Sequence, residues 1–158
     1  MLGNSKPIEI LLIEDNEGDV FLTKKAFESA KIANNIHVAR DGETGLDMLR
    51  QENGHSGIPR PDIVLLDINL PKKDGRQVLE EIKDDPDLRF IPVVILTSSE
   101  AEQDVLKSYE LHANSYILKP INLEKFYNVV KAIENFWFSV VVLPNDPSNH
   151  GKNRKKAA

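Results

Sequence analysis

Short apolar runs recur along the chain, and four of them end in a polar group. Ile8 to Ile13, with Glu9 its one charge, leads into the acidic pair Glu14-Asp15. Ile63-Val64-Leu65-Leu66 leads into Asp67, Pro92 to Leu96 into Thr97-Ser98-Ser99, and Tyr116-Ile117-Leu118 into Lys119-Pro120. Near-continuous apolar runs of this length predict strands covered on both faces, as in a parallel sheet. Between them the apolar spacing changes to steps of three and four. Val20, Thr23, Phe27 and Ala30 predict a first helix, and a short second strand follows at Ile36 to Ala39. Asp41-Gly42 opens a second helix carrying Leu46 and Leu49. The polar stretch from Glu52 to Pro61 then leads to the third strand, and it is longer than the ~2–6 residues usual for such a connection.

Gly75 marks a tight approach or turn before a helix carrying Val78, Leu79 and Ile82. Asp84-Asp85-Pro86 ends that helix, because proline cannot continue it without losing a hydrogen bond. A further helix is predicted from about Glu100 to Leu111, with a turn at Asn114. The last has Leu123, Phe126, Val130, Ile133 and Trp137 on one face. Strands alternating with helices, under the right-handed crossover rule, give an α/β fold: a five-stranded parallel sheet in the flavodoxin-like (βα)5 order 2-1-3-4-5.

This scheme assigns residues 7–137 to one domain. Residues 138–144 form an unusually apolar extension, and residues 145–158 a polar, basic tail expected to be disordered. Its cluster Lys152-Asn153-Arg154-Lys155-Lys156 reads first as a solvated tail, with contact to an acidic partner as the alternative. At 158 residues the chain is long enough to bury a real core. A net charge of −5 gives no reason to expect nucleic-acid binding, which usually leaves a basic footprint. The absence of cysteine excludes disulfides, thiol chemistry and cysteine-ligated zinc. No run approaches the ~20 apolar residues of a membrane span, so no membrane association is expected and a cytoplasmic location is.

In a parallel sheet the four polar strand ends converge on one edge, where α/β proteins place their sites. Glu14, Asp15 and Asp67 meeting there would repel one another unless a cation neutralised them. A hard divalent ion such as Mg2+ suits oxygen ligands and can bridge to a transferring phosphoryl group. A carboxylate is a competent nucleophile for such a group, forming an aspartyl phosphate. Lys119 would supply a compact positive charge to a phosphoryl oxygen, and Thr97 a donating hydroxyl. No histidine accompanies Ser98 or Ser99 in a hydrolytic pattern, and no glycine-rich phosphate loop is present. Each residue also has an ordinary reading: Asp67 as a turn or cap residue, Glu14-Asp15 or Thr97 as helix caps, Lys119 as a surface lysine. All four would have to coincide at the successive ends of one sheet.

These residues carry a resemblance. Ile13-Glu14-Asp15-Asn16, Leu65-Leu66-Asp67-Ile68-Asn69-Leu70-Pro71, Asp74-Gly75, Leu96-Thr97-Ser98 and Leu118-Lys119-Pro120 resemble, in order and spacing, the receiver domain of two-component response regulators. The resemblance covers roughly Pro7 to Trp137. It implies that Asp67 is the phosphoacceptor. Asp15 and Asp67 would bind Mg2+ directly, Asn69 through its backbone carbonyl and Glu14 through water. Thr97 and Tyr116 would form the switch, Tyr116 turning inward as Thr97 moves towards the phosphoryl group. Lys119-Pro120 is expected to be joined by a cis peptide. The absence of a following effector domain suggests a single-domain regulator.

The entry to the third strand, the segment Asn69 to Arg76, Ser108-Tyr109-Glu110-Leu111 and the ending from Phe136 resemble more narrowly the cyanobacterial phytochrome-associated response regulators. That narrower likeness implies a phytochrome-linked histidine kinase as phosphodonor. The apolar ending suggests either a homodimer surface, with the fourth and fifth helices and fifth strand, or a segment folded back on its own domain. Two other functions compete: a small Mg2+-dependent phosphatase or phosphotransferase, and a passive scaffold. The enzyme reading meets Asn69 where haloacid-dehalogenase-like enzymes generally need a second acid.

Overall fold

The computed structural model describes residues 7–29, 33–102, 115–119, 124, 125 and 128. Each apolar run becomes a strand: β1 (Ile8–Ile13), β3 (Ile63–Asp67), β4 (Val93–Thr97) and β5 (Ser115–Leu118), with β2 (Asn34–Ala39) beside β1. All pairings are parallel and the strand order is β2-β1-β3-β4-β5. Every residue of the central strands β3 and β4 is buried, which explains why their sequences show no alternation. The expected topology is the observed one.

The helices α1 (Glu17–Ser29), α2 (Gly42–Arg50) and α3 (Gly75–Asp84) alternate with the strands. One buried cluster joins Leu11 and Ile13 of β1, Leu46 and Leu49 of α2, Val64 and Leu66 of β3, Val78 and Ile82 of α3, and Val93 and Ile95 of β4. Removing such a side chain from water stabilises the fold by roughly 1.5–3 kcal/mol. Ile10, Leu12, Leu65 and Leu96 are equally buried but outside that cluster, so both faces of the central strands are covered. Asp41 caps α2 by accepting from the Thr44 amide at 2.8 Å, and a capping box of Asp74 and Gln77 opens α3.

Strand limits differ from the apolar runs by one or two residues. β2 begins at Asn34 because it is an edge strand whose polar residues pair while facing water; the Asn35 side-chain Nδ2 donates to the Glu9 carboxylate across the ladder at 3.0 Å. β4 begins after Pro92, whose carbonyl accepts from Val64 at 2.9 Å although it has no N–H to give. The long connection after α2 is held by Gln51, which donates to the Ile58 carbonyl at 2.7 Å, and Ile58 packs on the core. Residues 100–102 start another helix; the rest of that predicted helix and the Asn114 turn lie outside the described residues.

The chain divides into two units, Met1–Asn122 and Leu123–Ala158. The sheet lies in the first, and in the second residues 124, 125 and 128 are helical. The apolar face from Leu123 to Trp137, the extension and the basic tail lie outside the described residues. So do Ala30, Ser108 to Leu111 and Pro120, and with it the expected cis peptide. Among the described residues no helix is long and apolar enough to cross a membrane.

Candidate functional site

Parallel register brings the polar strand ends together. Ile13 is opposite Leu66, Asp67 opposite Leu96, and Thr97 opposite Leu118. Glu14 therefore leaves β1 beside Asp67, and Lys119 leaves β5 beyond Thr97. Glu14, Asp67 and Thr97 are buried, whereas Asp15 is exposed at the rim. Carboxylate oxygens of Glu14, Asp15 and Asp67 all lie within 4.8 Å of one another.

Lys119 ties the corner together. Its Nζ is 2.9 Å from Glu14 Oε1, 2.9 Å from Asp19 Oδ2 and 3.4 Å from Asp67 Oδ1. Burial works against the ammonium, but its close contacts with Glu14 and Asp19 and the charge of Asp67 outweigh it and raise its pKa. Glu14 moves the other way from an ordinary carboxyl. Burial, then the neighbouring Asp67 carboxyl, pushes its pKa up to about 7, with Lys119 opposing. Glu14 Oε2 accepts from the Asn16 amide at 3.2 Å, but Oε1 has no well-aligned hydrogen-bond donor among the described residues. Its contact with Lys119 is therefore ionic rather than a directed hydrogen bond.

The cap and surface readings of Glu14-Asp15, Thr97 and Lys119 do not hold, whereas Asp67 does make a turn bond, accepting from the Asn69 amide two residues on. Asn16, not Glu14 or Asp15, caps α1 by accepting from the Asp19 amide at 2.9 Å. Ser99, not Thr97, accepts from the Glu102 amide at 3.2 Å, in the first turn of the helix that starts at residue 100. Lys119 is only 14% exposed, which rules out a plain surface lysine.

The β3–α3 loop holds the Asp67 side of the corner. The Asn69 amide donates to Asp67 Oδ1 at 3.2 Å, and the Gly75 amide to the Ile68 carbonyl at 3.0 Å. A Cβ at Gly75 would lie 2.5 Å from the Asp67 carbonyl oxygen and 2.6 Å from Ile68 Cα. The tight approach expected at this glycine is thus a backbone contact with the strand end itself. Tyr116, half-buried, packs against the core cluster, and burial raises the pKa of its phenol.

Asp19 and Glu102 were not legible as site residues. Asp19 sits in the first turn of α1, where an acid is ordinary, and its partner Lys119 is 100 residues away. Glu102 had one local signal, its place three residues after Ser99 in a capping-box pattern. The donor set suits a divalent cation: three carboxylates, hard oxygens only, one of them buried and lacking a directed donor. Tertiary structure brings every expected side chain at the strand ends to this edge.

A family model, the response regulator receiver domain, matches residues 10–131. The response regulator Rcp1 of Synechocystis sp. is 45% identical over 141 residues, 89% of this chain and 96% of that protein. The crystal structure of the Mn2+-bound form of response regulator Rcp1 aligns with a TM-score of 0.70 and 46% identity, covering 85% of this chain and 97% of that one. The phosphorylated cyanobacterial phytochrome response regulator RcpA aligns with a TM-score of 0.71 and 46% identity, covering 86% and 97%.

Proposed function

The chain belongs to the response regulator receiver family, the receivers of two-component signalling, and on that premise we propose that Asp67 accepts a phosphoryl group from a kinase histidine. The observation that carries this reading is the buried corner in which Lys119 reaches both Asp67 and Glu14 beside the exposed Asp15. An Asp67 carboxylate oxygen attacks phosphorus, the P–N bond to the imidazole breaks, and that ring nitrogen keeps the electron pair. Lys119 neutralises one phosphoryl oxygen, and the Thr97 hydroxyl donates to another.

The cation in this reading is Mg2+, held by Asp15 and Asp67, by the Asn69 carbonyl, and by Glu14 through water. When bound, it offsets the negative charge gathered by the carboxylates and the transferring phosphoryl group. Thr97 and Tyr116 carry the switch: Thr97 moves towards the phosphoryl group and Tyr116 turns inward behind it. Modification is stoichiometric, so the chain assists its own phosphorylation and dephosphorylation and turns over no other substrate. A phytochrome-linked kinase is the proposed donor, supported by the likeness to RcpA. We place the regulator in the cytoplasm, with residues 7–137 as the receiver. Its proposed homodimer surface combines the fourth helix, β5, the fifth helix and the extension 138–144. Sedimentation as a monomer at micromolar concentration, with and without phosphorylation, would refute the dimer.

Intact mass after incubation with Mg2+ and acetyl phosphate tests the central claim, beside Asp67→Asn. One acid-labile phosphoryl group, absent from the variant and from metal-free protein, is the expected result. Steady release of phosphate over many turnovers would favour an aspartyl-phosphate enzyme. Neither adduct nor release would leave a scaffold.

A further inference from the structure

Thr97 is fully buried, and its single hydroxyl proton has two acceptors to choose from. Glu102 Oε1 is at 2.6 Å and the Ser99 carbonyl at 3.3 Å. The shorter contact is to a carboxylate and falls in the ~2.5–2.7 Å range of charge-assisted O–H···O− bonds. The hydroxyl is therefore committed to Glu102.

The local sequence explains how a glutamate reaches it. Ser99-Glu100-Ala101-Glu102 has the form of a capping box, and Ser99 Oγ accepts from the Glu102 amide as that motif requires. In the ordinary motif the glutamate would return to the Ser99 amide. Here that amide donates to Thr97 Oγ1 at 3.3 Å, and the Thr97 hydroxyl in turn donates to Glu102. Thr97 is thus inserted into the cap of the helix that starts at residue 100. Asn69 Nδ2 also lies 3.5 Å from Glu102 Oε1, so the same carboxylate faces the loop beside Asp67.

We infer that Glu102 is a positioning residue that holds the Thr97 hydroxyl in its resting place and opposes its move to a phosphoryl group on Asp67. The inference rests on the proposed roles of Asp67 and Thr97 and adds the group that competes for the hydroxyl. When Thr97 donates to a phosphoryl oxygen it must withdraw from Glu102. That withdrawal breaks a charge-assisted bond and the cap relay together, so the event at Asp67 is transmitted to the first turn of the helix.

Beryllofluoride with Mg2+, a non-transferable mimic of an aspartyl phosphate, provides the test by calorimetric titration. Loss of the charge-assisted bond that opposes the move should make Glu102→Ala bind at least about tenfold tighter than wild type. Glu102→Gln keeps an acceptor without the charge and should tighten binding by less. In a Thr97→Val background the Glu102→Ala change should shift affinity less than about twofold. Equal tightening with and without the Thr97 hydroxyl would show plain charge repulsion and overturn the inference. So would unchanged or weaker binding by both Glu102 variants. A wild type that takes no beryllofluoride, or an Asp67→Asn variant that still does, would overturn the acceptor role of Asp67 and this inference with it.

Discussion

Two clusters of charged side chains differ in their arithmetic, and the difference separates chemistry from support. On the α2–α3 side, Arg50 lies 3.2 Å from Glu81 and 3.8 Å from Asp85, and Lys73 pairs with the same Glu81. Two cations meet two acids, all partly exposed. At the sheet edge Lys119 alone among the described residues faces Glu14, Asp19 and Asp67, with Asp15 close by. Glutamate reports the contrast directly. The Lys73 hydrogen bond lowers the pKa of Glu81 against a modest burial cost, whereas burial and Asp67 raise that of Glu14 to about 7. A balanced cluster fastens two helices, while an unbalanced buried one is held ready for another cation.

The largest test removes that cation. Lys119→Met leaves buried carboxylates unpaired and should destabilise the metal-free protein by about 3 kcal/mol at pH 7 in urea titrations. A loss under ~1 kcal/mol would mean that the edge cluster behaves like a surface one. Adding the missing cation should have the opposite effect. Mg2+ at a hundred times its dissociation constant should stabilise the chain by about 2.7 kcal/mol, and the same concentration should give Asp15→Asn less.

The pH response should have opposite signs in the two clusters. For Glu14 the ordinary pKa is 4.5 and the folded value about 7, so the folded state holds an extra proton between them. Metal-free stability should fall across that window by on the order of 2 kcal/mol as pH rises, and Glu14→Gln should flatten the fall. For Glu81 the folded pKa lies below 4.5, so its contribution is present above 4.5 and lost as pH falls through the folded value. Being about a third exposed, that pair is screened, and Glu81→Gln should cost under about 1 kcal/mol at pH 7. Denaturation series in chelator between pH 3 and 8 would show both slopes; slopes of the same sign would break the comparison.

The sheet was readable because its central strands are buried on both faces and carry unbroken Val, Ile and Leu. The site was readable because each of four runs ended in a polar residue and parallel order aligns those ends. What stayed hidden depends on contacts made by the finished fold. Asn34 and Asn35 look like loop residues until β1 pairs with them. Asp19 looks like a helix-dipole residue until Lys119 arrives from β5. Glu102 looks like half of a local capping box until Thr97 intervenes. Exposure of Asp15 beside burial of Glu14 follows from chain direction at the strand end, which adjacent acids in a sequence do not reveal.

The position of Lys119 also bears on how the molecule is made. β5 is an edge strand, paired with β4, and it follows the other four in synthesis. A nascent chain that has emerged only as far as β4 already contains Glu14, Asp19 and Asp67 but not their ammonium partner. The acids thus favour docking of β5, and the corner is complete only after Lys119 has left the ribosome. A half-made chain would lack the ammonium that we propose neutralises a phosphoryl oxygen.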